Sequence, residues 1–435
     1  MKISVIGCGY LGAVHAASMV KLGHEVVGID VDAAKIDLLS RGEATFFEPA
    51  LPELLREAVQ SGRLTFSTDP AAVRGSTVHF VSVGTPQKAG SYAADLTYVD
   101  AAVEGLLPHL AAGDIVVGKS TVPVGTAERL AAMIEPSGAI LAWNPEFLRE
   151  GFAVKDTISP DRLVYGLPED PRESEKARTA LDEVYAQALA AGTPLVATDY
   201  ATAELVKVAA NAFLATKISF INAMAEVSEA AGADVTQLAD AIGYDARIGR
   251  RFLNAGAGFG GGCLPKDIRA FTARAEELGR GEALNFLKEV DAINLRRRDR
   301  VVQLVVEALG GSAFNKKVAV LGLAFKPDSD DIRDSPSLDV AVRLNGLGAR
   351  VVATDPEAIA NSQRMHPQLV FGTTDEALRD ADAVVLVTEW DEYRTLDPVA
   401  AGQVVASRLV IDGRNCLDSE AWRDAGWKYV GLGRK

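Results

Sequence analysis

The chain has 435 residues, 48% of them hydrophobic, enough to build two or three domains with their own cores. A formal charge of −14 argues against a nucleic-acid partner, whose phosphates attract basic surfaces, and no apolar run reads as a membrane span, so no membrane is expected. Cys8, Cys263 and Cys416 lie far apart and are odd in number, with neither disulfide nor zinc spacing, so a reducing cytoplasm and no metal are expected.

Lys2 to Ile6 reads as a short buried strand, followed by Gly7-Cys8-Gly9-Tyr10-Leu11-Gly12, an alanine-rich helix to Leu22, and a second apolar strand, Glu25 to Ile29, closed by Asp30. Strand, glycine turn, helix, strand and acid in that order form a dinucleotide-binding fingerprint. The glycines allow a tight turn, the helix N-terminus takes a pyrophosphate and the acid takes ribose hydroxyls. Asp30 is followed by Val31 and Asp32 rather than arginine, which favours NAD over NADP because a carboxylate repels a 2′-phosphate. Further apolar strands run from His79 to Val83, Ile115 to Lys119 and Ile140 to Trp143, ending in Gly84-Thr85-Pro86, Ser120-Thr121 and Asn144-Pro145-Glu146. Polar residues at the C-terminal ends of such strands predict a parallel sheet with its ligands at that edge.

A long helix is expected from about Asp199 to Ala231, stopped at Gly232, with Lys207 and Asn211 four residues apart on one face. An ammonium and an amide among apolar neighbours are costly unless they meet a ligand or a partner; snorkelling at a subunit interface is the competing reading. Cys263 stands in Gly256-Ala257-Gly258-Phe259-Gly260-Gly261-Gly262-Cys263-Leu264-Pro265-Lys266-Asp267. A lone cysteine is by default a small packing residue, but five glycines are poor core material and suit a loop that presents a nucleophile. Lys207 and Asn211 would then donate to the oxyanion of an adduct on that thiol. A second helical region is expected from Lys266 to about Leu309, softened around Gly279 and Gly281. Its Arg296-Arg297-Arg298 run reads as a solvated face or a local anion contact. From Lys317 a second α/β unit follows, with strands Lys317 to Leu321 and Arg350 to Thr354, a helix from Ser337, and a degenerate glycine turn that predicts a ligand other than NAD. The boundaries drawn are 1–198 for an NAD-binding Rossmann domain, 199–312 for a central helical domain and 313–435 for a Rossmann-like C-terminal domain, an α/β protein throughout.

These motifs, with Val83-Gly84-Thr85-Pro86-Gln87, Lys119-Ser120-Thr121-Val122-Pro123, Asn144-Pro145-Glu146-Phe147-Leu148-Arg149-Glu150-Gly151, Arg247-Ile248-Gly249, Phe325-Lys326-Pro327-Asp328, Arg333-Asp334-Ser335-Pro336 and Asp412-Gly413-Arg414, resemble the nucleotide-sugar 6-dehydrogenases from Met1 to about Cys416. The resemblance implies oxidation of the C6 alcohol of a nucleotide sugar to a carboxylate with two NAD and no metal. It implies that Cys263 forms a thiohemiacetal and then a thioester, and that Lys207 and Asn211 hold the C6 oxygen. Asp267 and Thr121 would position a water, with Glu146 or Glu150 assisting hydrolysis. The base of the first oxidation would be a water backed by Asp267 or by Lys207, and the sequence leaves that choice open.

By the same resemblance Gly7, Gly9, Tyr10, Leu11, Gly12, Asp30, Lys35, Thr85, Thr121, Glu150, Lys266 and Arg333 would bind NAD. The sugar nucleotide would meet Phe147, Leu148, Arg149, Glu150, Lys207, Asn211, Phe252, Leu253, Asn254, Ala255, Gly256, Gly260 and Lys326, with Arg414 near the diphosphate. Arg247 would reach the sugar site of a neighbouring subunit, which makes the assembly at least a homodimer, and the C-terminal domain would grip the nucleotide. Gly262 and Leu264 replace the serine and phenylalanine common around the family's cysteine. UDP-glucose is the expected substrate, with GDP-mannose or a UDP-N-acetylhexosamine as the alternative. A non-catalytic sensor of NAD and nucleotide sugar, and a simple two-electron dehydrogenase with a structural Cys263, are the remaining readings.

Overall fold

The computed structural model describes residues 1–434. The chain divides into two compact units, Met1–Ala210 with Ala273–Gly279, and Asn211–Thr272 with the chain from Arg280 onward. The segment assigned from sequence to a central domain is therefore shared between the two.

The first unit is built on an eight-stranded sheet: β1 (Lys2–Ile6), β2 (Glu25–Ile29), β3 (Leu64–Ser67), β4 (Val78–Val81), β5 (Ile115–Gly118), β6 (Ile140–Trp143), β7 (Leu163–Leu167) and β8 (Leu195–Asp199). Their order is β3-β2-β1-β4-β5-β6-β7-β8, and the first six positions follow the doubly wound dinucleotide arrangement. The inner strands bury both faces, which is why they read as continuous apolar runs: Val116 packs into one core layer while Ile115 and Val117 pack into the opposite one. The sheet departs from the expected parallel form at one place, because β6 and β7 pair antiparallel through Trp143 and Gly166. A Cβ at Gly166 would approach Ala203 Cβ and Trp143 Cβ within 2.8 and 3.1 Å, so the reversed strand fits against these neighbours only because it carries no side chain there.

The second unit carries β9 (Lys317–Leu321), β10 (Arg350–Thr354), β11 (Val370–Phe371), β12 (Ala383–Leu386), β13 (Leu409–Asp412) and β14 (Lys428–Gly431). Their order, β11-β10-β9-β12-β13-β14, repeats the connectivity of the first six strands of the other sheet, with every pair parallel. The repeat is of wiring and not of termini. In the first unit the Tyr10–Lys21 helix starts after Gly9, which has no side chain to cap it, so its first-turn N–H groups are left to attract an anion. In the second, the Pro336–Gly346 helix has its N-terminus capped by Ser335 and one amide removed by Pro336.

The predicted long helix spans Tyr200–Ala231. By length and composition it is long and apolar enough to cross a membrane, contrary to the reading of the sequence, and 44% of its most apolar window is buried inside the protein. Its buried polar groups are spent inside the protein: Ser219 donates to Val290 O at 2.7 Å and Asn222 accepts from Gly256 N at 2.9 Å. Intramembrane polar groups are expensive and scarce, which weighs against a membrane span. The second helical region breaks where glycines were expected to soften it, into Leu264–Glu277, a short 3₁₀ turn at Gly281–Leu284, and Asn285–Ala308.

The solvated-face reading of Arg296-Arg297-Arg298 is corrected. Arg297 is fully buried and Arg298 nearly so. Arg297 faces Glu226 and Glu229, and Arg298 reaches Asp334 at 2.8 Å and Asp339 at 3.4 Å. Buried guanidinium groups persist only when carboxylates compensate their lost hydration, and the sequence run gives no hint of acids that lie 36 to 71 residues away.

Candidate active site

In the first unit Asp30 lies at the end of β2 and is 8% exposed. Its carboxylate accepts from Cys8 N at 2.8 Å, within the glycine turn, and from Lys35 Nζ at 2.9 Å, while Oδ1 accepts from Asp32 N. A fixed, partly neutralised acid beside an uncapped helix N-terminus suits a dinucleotide with a free ribose diol. Gly12 completes the turn: a Cβ there would collide with Gly7 O, so only glycine lets the helix approach the strand. The corresponding acid of the second unit, Asp355, is buried and accepts from Leu323 N, Ala324 N, Glu357 N, Ala358 N and Trp390 Nε1. Cys8 is buried and its thiol is pushed far up by burial, as is that of Cys416, which makes both inert.

The polar ends of β4, β5 and β6 meet as expected. Thr85 Oγ1 donates to Thr121 O at 2.7 Å and Ser120 Oγ to Val83 O at 2.6 Å. Lys119, which the sequence reading left without a role, is 3% exposed and pairs with Glu146 at 3.0 Å while donating to Asn144 Oδ1. Burial pushes the Glu146 carboxyl up, but the Lys119 ammonium and the amides of Phe147 and Leu148 outweigh it and hold the group below the ordinary carboxylate range. With one oxygen on Lys119 and the other on two amides, Glu146 is a fixed anion that shapes the Phe147–Leu148 backbone. The Phe147 ring takes the Arg162 guanidinium at 3.9 Å and the Lys207 ammonium at 5.5 Å, both favourable over an aromatic face. Arg149 is held by Asp156 through two nitrogens, at 2.8 and 2.7 Å.

Two buried acids escaped the sequence reading. Glu204, one turn before Lys207, accepts from Gly125 N and Ala127 N, each at 2.7 Å, and Arg274 Nε holds Val124 O at 2.9 Å, so the turn after Thr121 is gripped from two sides. Burial raises the Glu204 carboxyl to about 7 despite these amides. Glu48, 1% exposed, accepts from Tyr10, Gly151 N and Ala153 N. The only local signal for Glu48 is an acid set between aromatic residues and a proline.

In the second unit Cys263 is exposed and its carbonyl accepts from Asp267 N at 2.9 Å, so the cysteine stands at the N-terminus of the Leu264–Glu277 helix, where partial positive charge favours an anion. The glycines before it serve close approach. A Cβ at Gly260 would strike Asp334 O, at Gly261 it would lie 2.8 Å from the Phe325 ring, and at Gly262 it would meet the Arg333 guanidinium. Asp267, 2% exposed, accepts from Asn211 Nδ2 at 2.6 Å and from Lys266 Nζ at 2.7 Å. Asn211 is thus oriented by the acid four residues after the cysteine, and Lys266, expected at the cofactor, is placed on Asp267.

The remaining expected contacts are distributed over the same unit. Arg333 is paired with Asp331 at 2.7 Å, and Lys326 lies 5.5 Å from the Phe325 ring. Phe252 has a left-handed φ of 66° and is exposed, whereas Leu253 and Ala255 are buried. Asn254 accepts from Arg250, and Gly256 N donates to Asn222. Arg247 is 89% exposed and engages Asp245. Arg414 donates to Val387 O at 2.7 Å, Gly258 O at 2.7 Å and Phe325 O at 3.2 Å, so it stitches the loops expected to hold the nucleotide.

Three family models match in order: the NAD-binding domain of the UDP-glucose/GDP-mannose dehydrogenase family over residues 1–189, its central domain over 201–296 and its UDP-binding domain over 319–419. The chain belongs to the UDP-glucose/GDP-mannose dehydrogenase family. Among its members, a UDP-glucose 6-dehydrogenase of Rhizobium meliloti is 41% identical over all of both chains. A UDP-glucose dehydrogenase structure from Pyrobaculum islandicum superposes with a TM-score of 0.89 at 37% identity, covering 100% of this chain and 98% of that one. A UDP-D-ManNAc dehydrogenase from Pyrococcus horikoshii gives 0.85 at 26%, covering 100% and 99%. The capped helix and saturated Asp355 of the second sheet are in keeping with a family whose C-terminal domain binds UDP rather than a dinucleotide.

Proposed function

We propose that this chain oxidises UDP-glucose at C6 to UDP-glucuronate through a covalent intermediate on Cys263. The observation that carries the covalent step is the arrangement around Asp267: an exposed thiol at a helix N-terminus, followed one turn later by a buried acid that orients the Asn211 amide. NAD, held by the glycine turn and Asp30, supplies the hydride acceptor for each of two oxidations. Lys207 and Asn211 donate to the C6 oxygen, which becomes an oxyanion when the Cys263 thiolate adds to the aldehyde. The tetrahedral thiohemiacetal is then oxidised to a thioester, and water attacks its carbonyl carbon and expels the thiolate. Thr121 and Asp267 position that water. Glu146, committed to Lys119 and two amides, acts through the backbone it fixes, and Glu150 is proposed to assist proton removal.

Self-association belongs to the same proposal. Phe213, Phe220 and Val227 recur every seven residues on the long helix and are 66, 48 and 58% exposed, a stripe suited to a second copy. Arg247, extended into solvent, would act from the neighbouring subunit. The compartment is proposed to be cytoplasmic because the three cysteines are odd in number and lie far apart in the sequence.

Counting NADH released per sugar tests the function. Two per UDP-glucose is expected; one indicates a simple dehydrogenase and none a sensor. Two per GDP-mannose with little turnover of UDP-glucose would reassign the sugar.

A further inference from the structure

Glu48 has no role in the chemistry above, yet it is one of the most completely buried acids of the first unit, at 1% exposure. A buried carboxylate is retained only if its oxygens are satisfied, and the partners of Glu48 belong to two functionally different segments. Tyr10, within the glycine turn, donates its hydroxyl to Oε2. Gly151 N donates to the same oxygen at 2.6 Å and Ala153 N donates to Oε1 at 2.7 Å. Gly151 N also lies 3.3 Å from the Tyr10 hydroxyl oxygen, so phenol, carboxylate and amide close a small ring. Gly151 has a φ of 78°, a conformation that aims its N–H at this acid and directly follows Phe147–Glu150. Tyr10 is further fixed by the Phe46 ring, with centroids 4.6 Å apart.

We propose that Glu48 is a positioning residue that couples the two ligand segments of the first unit, holding the dinucleotide turn through Tyr10 and the sugar segment through the Gly151 and Ala153 amides, so that occupancy of one raises affinity for the other. The proposal rests on the assignment of Phe147–Glu150 to the nucleotide sugar and of the Gly7–Gly12 turn to NAD. A shift of the turn when a pyrophosphate binds displaces the Tyr10 hydroxyl, and the acid transmits the displacement to two amides because both its oxygens are committed to these partners. Ordering of the shared clamp by one ligand also lowers the entropy the second must spend. Thermodynamic reciprocity then requires the same coupling factor whichever ligand is titrated first.

The experiment uses NADH and UDP-glucose, a pair that cannot react, on the full chain. Calorimetric Kd values for each ligand are measured with and without saturating amounts of the other, for the wild type, Tyr10→Phe, Glu48→Gln and the double variant. The wild type is expected to show a coupling factor of about fivefold or more. Tyr10→Phe, which deletes one hydroxyl and retains the ring on Phe46, is expected to bring the factor below about twofold, and the double variant is expected to match Glu48→Gln rather than add to it. A purely structural acid would lower thermal stability or both affinities in parallel and leave the factor unchanged; that result, or a wild type with no coupling, overturns the proposal. Should Glu48→Gln not fold, Tyr10→Phe decides alone. The NADH count on UDP-glucose is run beside it, so an enzyme that releases two NADH and shows no coupling loses the proposal and keeps its function.

Discussion

Asn211 donates to Asp267 at 2.6 Å, and this one bond makes the acid and the amide a single device. Asp267 also holds Lys266, so both the carboxylate and the amide are fixed before any ligand arrives.

Asn211→Ala is therefore expected to lower kcat by about 10²- to 10³-fold, the loss typical of one oxyanion donor, with Cys263 still alkylated by iodoacetamide at the wild-type rate. Asp267→Asn, which leaves Lys266 without its carboxylate and frees the Asn211 amide to turn, should lower kcat at least as far. A kcat within about threefold of wild type for Asn211→Ala would remove the oxyanion role.

Cys263→Ser separates covalent chemistry from packing. The variant should fold and bind NADH, because the side chain is exposed, while production of the acid falls by more than about 10³-fold, since an alcohol is a far weaker nucleophile than a thiolate at neutral pH. Acid formation at the wild-type rate would return Cys263 to a structural role.

Glu204 predicts a pH dependence of stability. Burial raises its carboxyl in the folded chain to about 7, from 4.5, so the folded state holds a proton that the unfolded state releases. The sign follows: its contribution is fully present below about 4.5 and is lost as pH rises through about 7, a change of about 3 kcal/mol at 1.36 kcal/mol per unit. Glu204→Gln cannot ionise. The stability difference between variant and wild type, measured by urea titration, should move in the variant's favour from pH 5 to pH 8; a constant difference across that window would contradict the assignment.

Asp30→Ala should narrow the preference for NAD over NADP by at least about tenfold in kcat/KM, since the carboxylate repels a 2′-phosphate and Lys35, released from its 2.9 Å ion pair, would be left to attract one. An unchanged ratio would place nucleotide selection elsewhere.

The glycines around Cys263 differ in what they exclude. At Gly260 an added Cβ meets the backbone oxygen of Asp334, whereas at Gly262 it meets the far end of the Arg333 side chain. Gly260→Ala should cost about 1–3 kcal/mol by overpacking, read as a drop in Tm of several degrees, and Gly262→Ser should stay within about 0.5 kcal/mol. The reverse ranking would show that the loop is seated differently.

Legibility in the sequence followed the range of the interaction. The glycine turn, Asp30 and the strand-end threonines were readable because each motif is local and its geometry is set within about thirty residues. Asn211 and Cys263 were readable as costly residue types in unusual settings. Glu48 and Glu204 were not, because the backbone amides that hold them lie 77 to 105 residues away, and an amide leaves no trace in the sequence. The antiparallel pairing of Trp143 with Gly166 and the burial of Arg297 failed for a similar reason, being decided by what packs opposite them.

The two sheets share one wiring diagram yet present opposite faces to an anion. In the C-terminal sheet a serine hydroxyl and a proline ring occupy the helix start, and five donors consume the acid that would otherwise read a ribose. Restoring glycines to its first turn would not convert it into a second dinucleotide site, since the cap and the acid's whole complement of donors would have to be dismantled together. The duplicated scaffold therefore keeps its two nucleotides apart by saturation of hydrogen bonds, a barrier that no single substitution lowers.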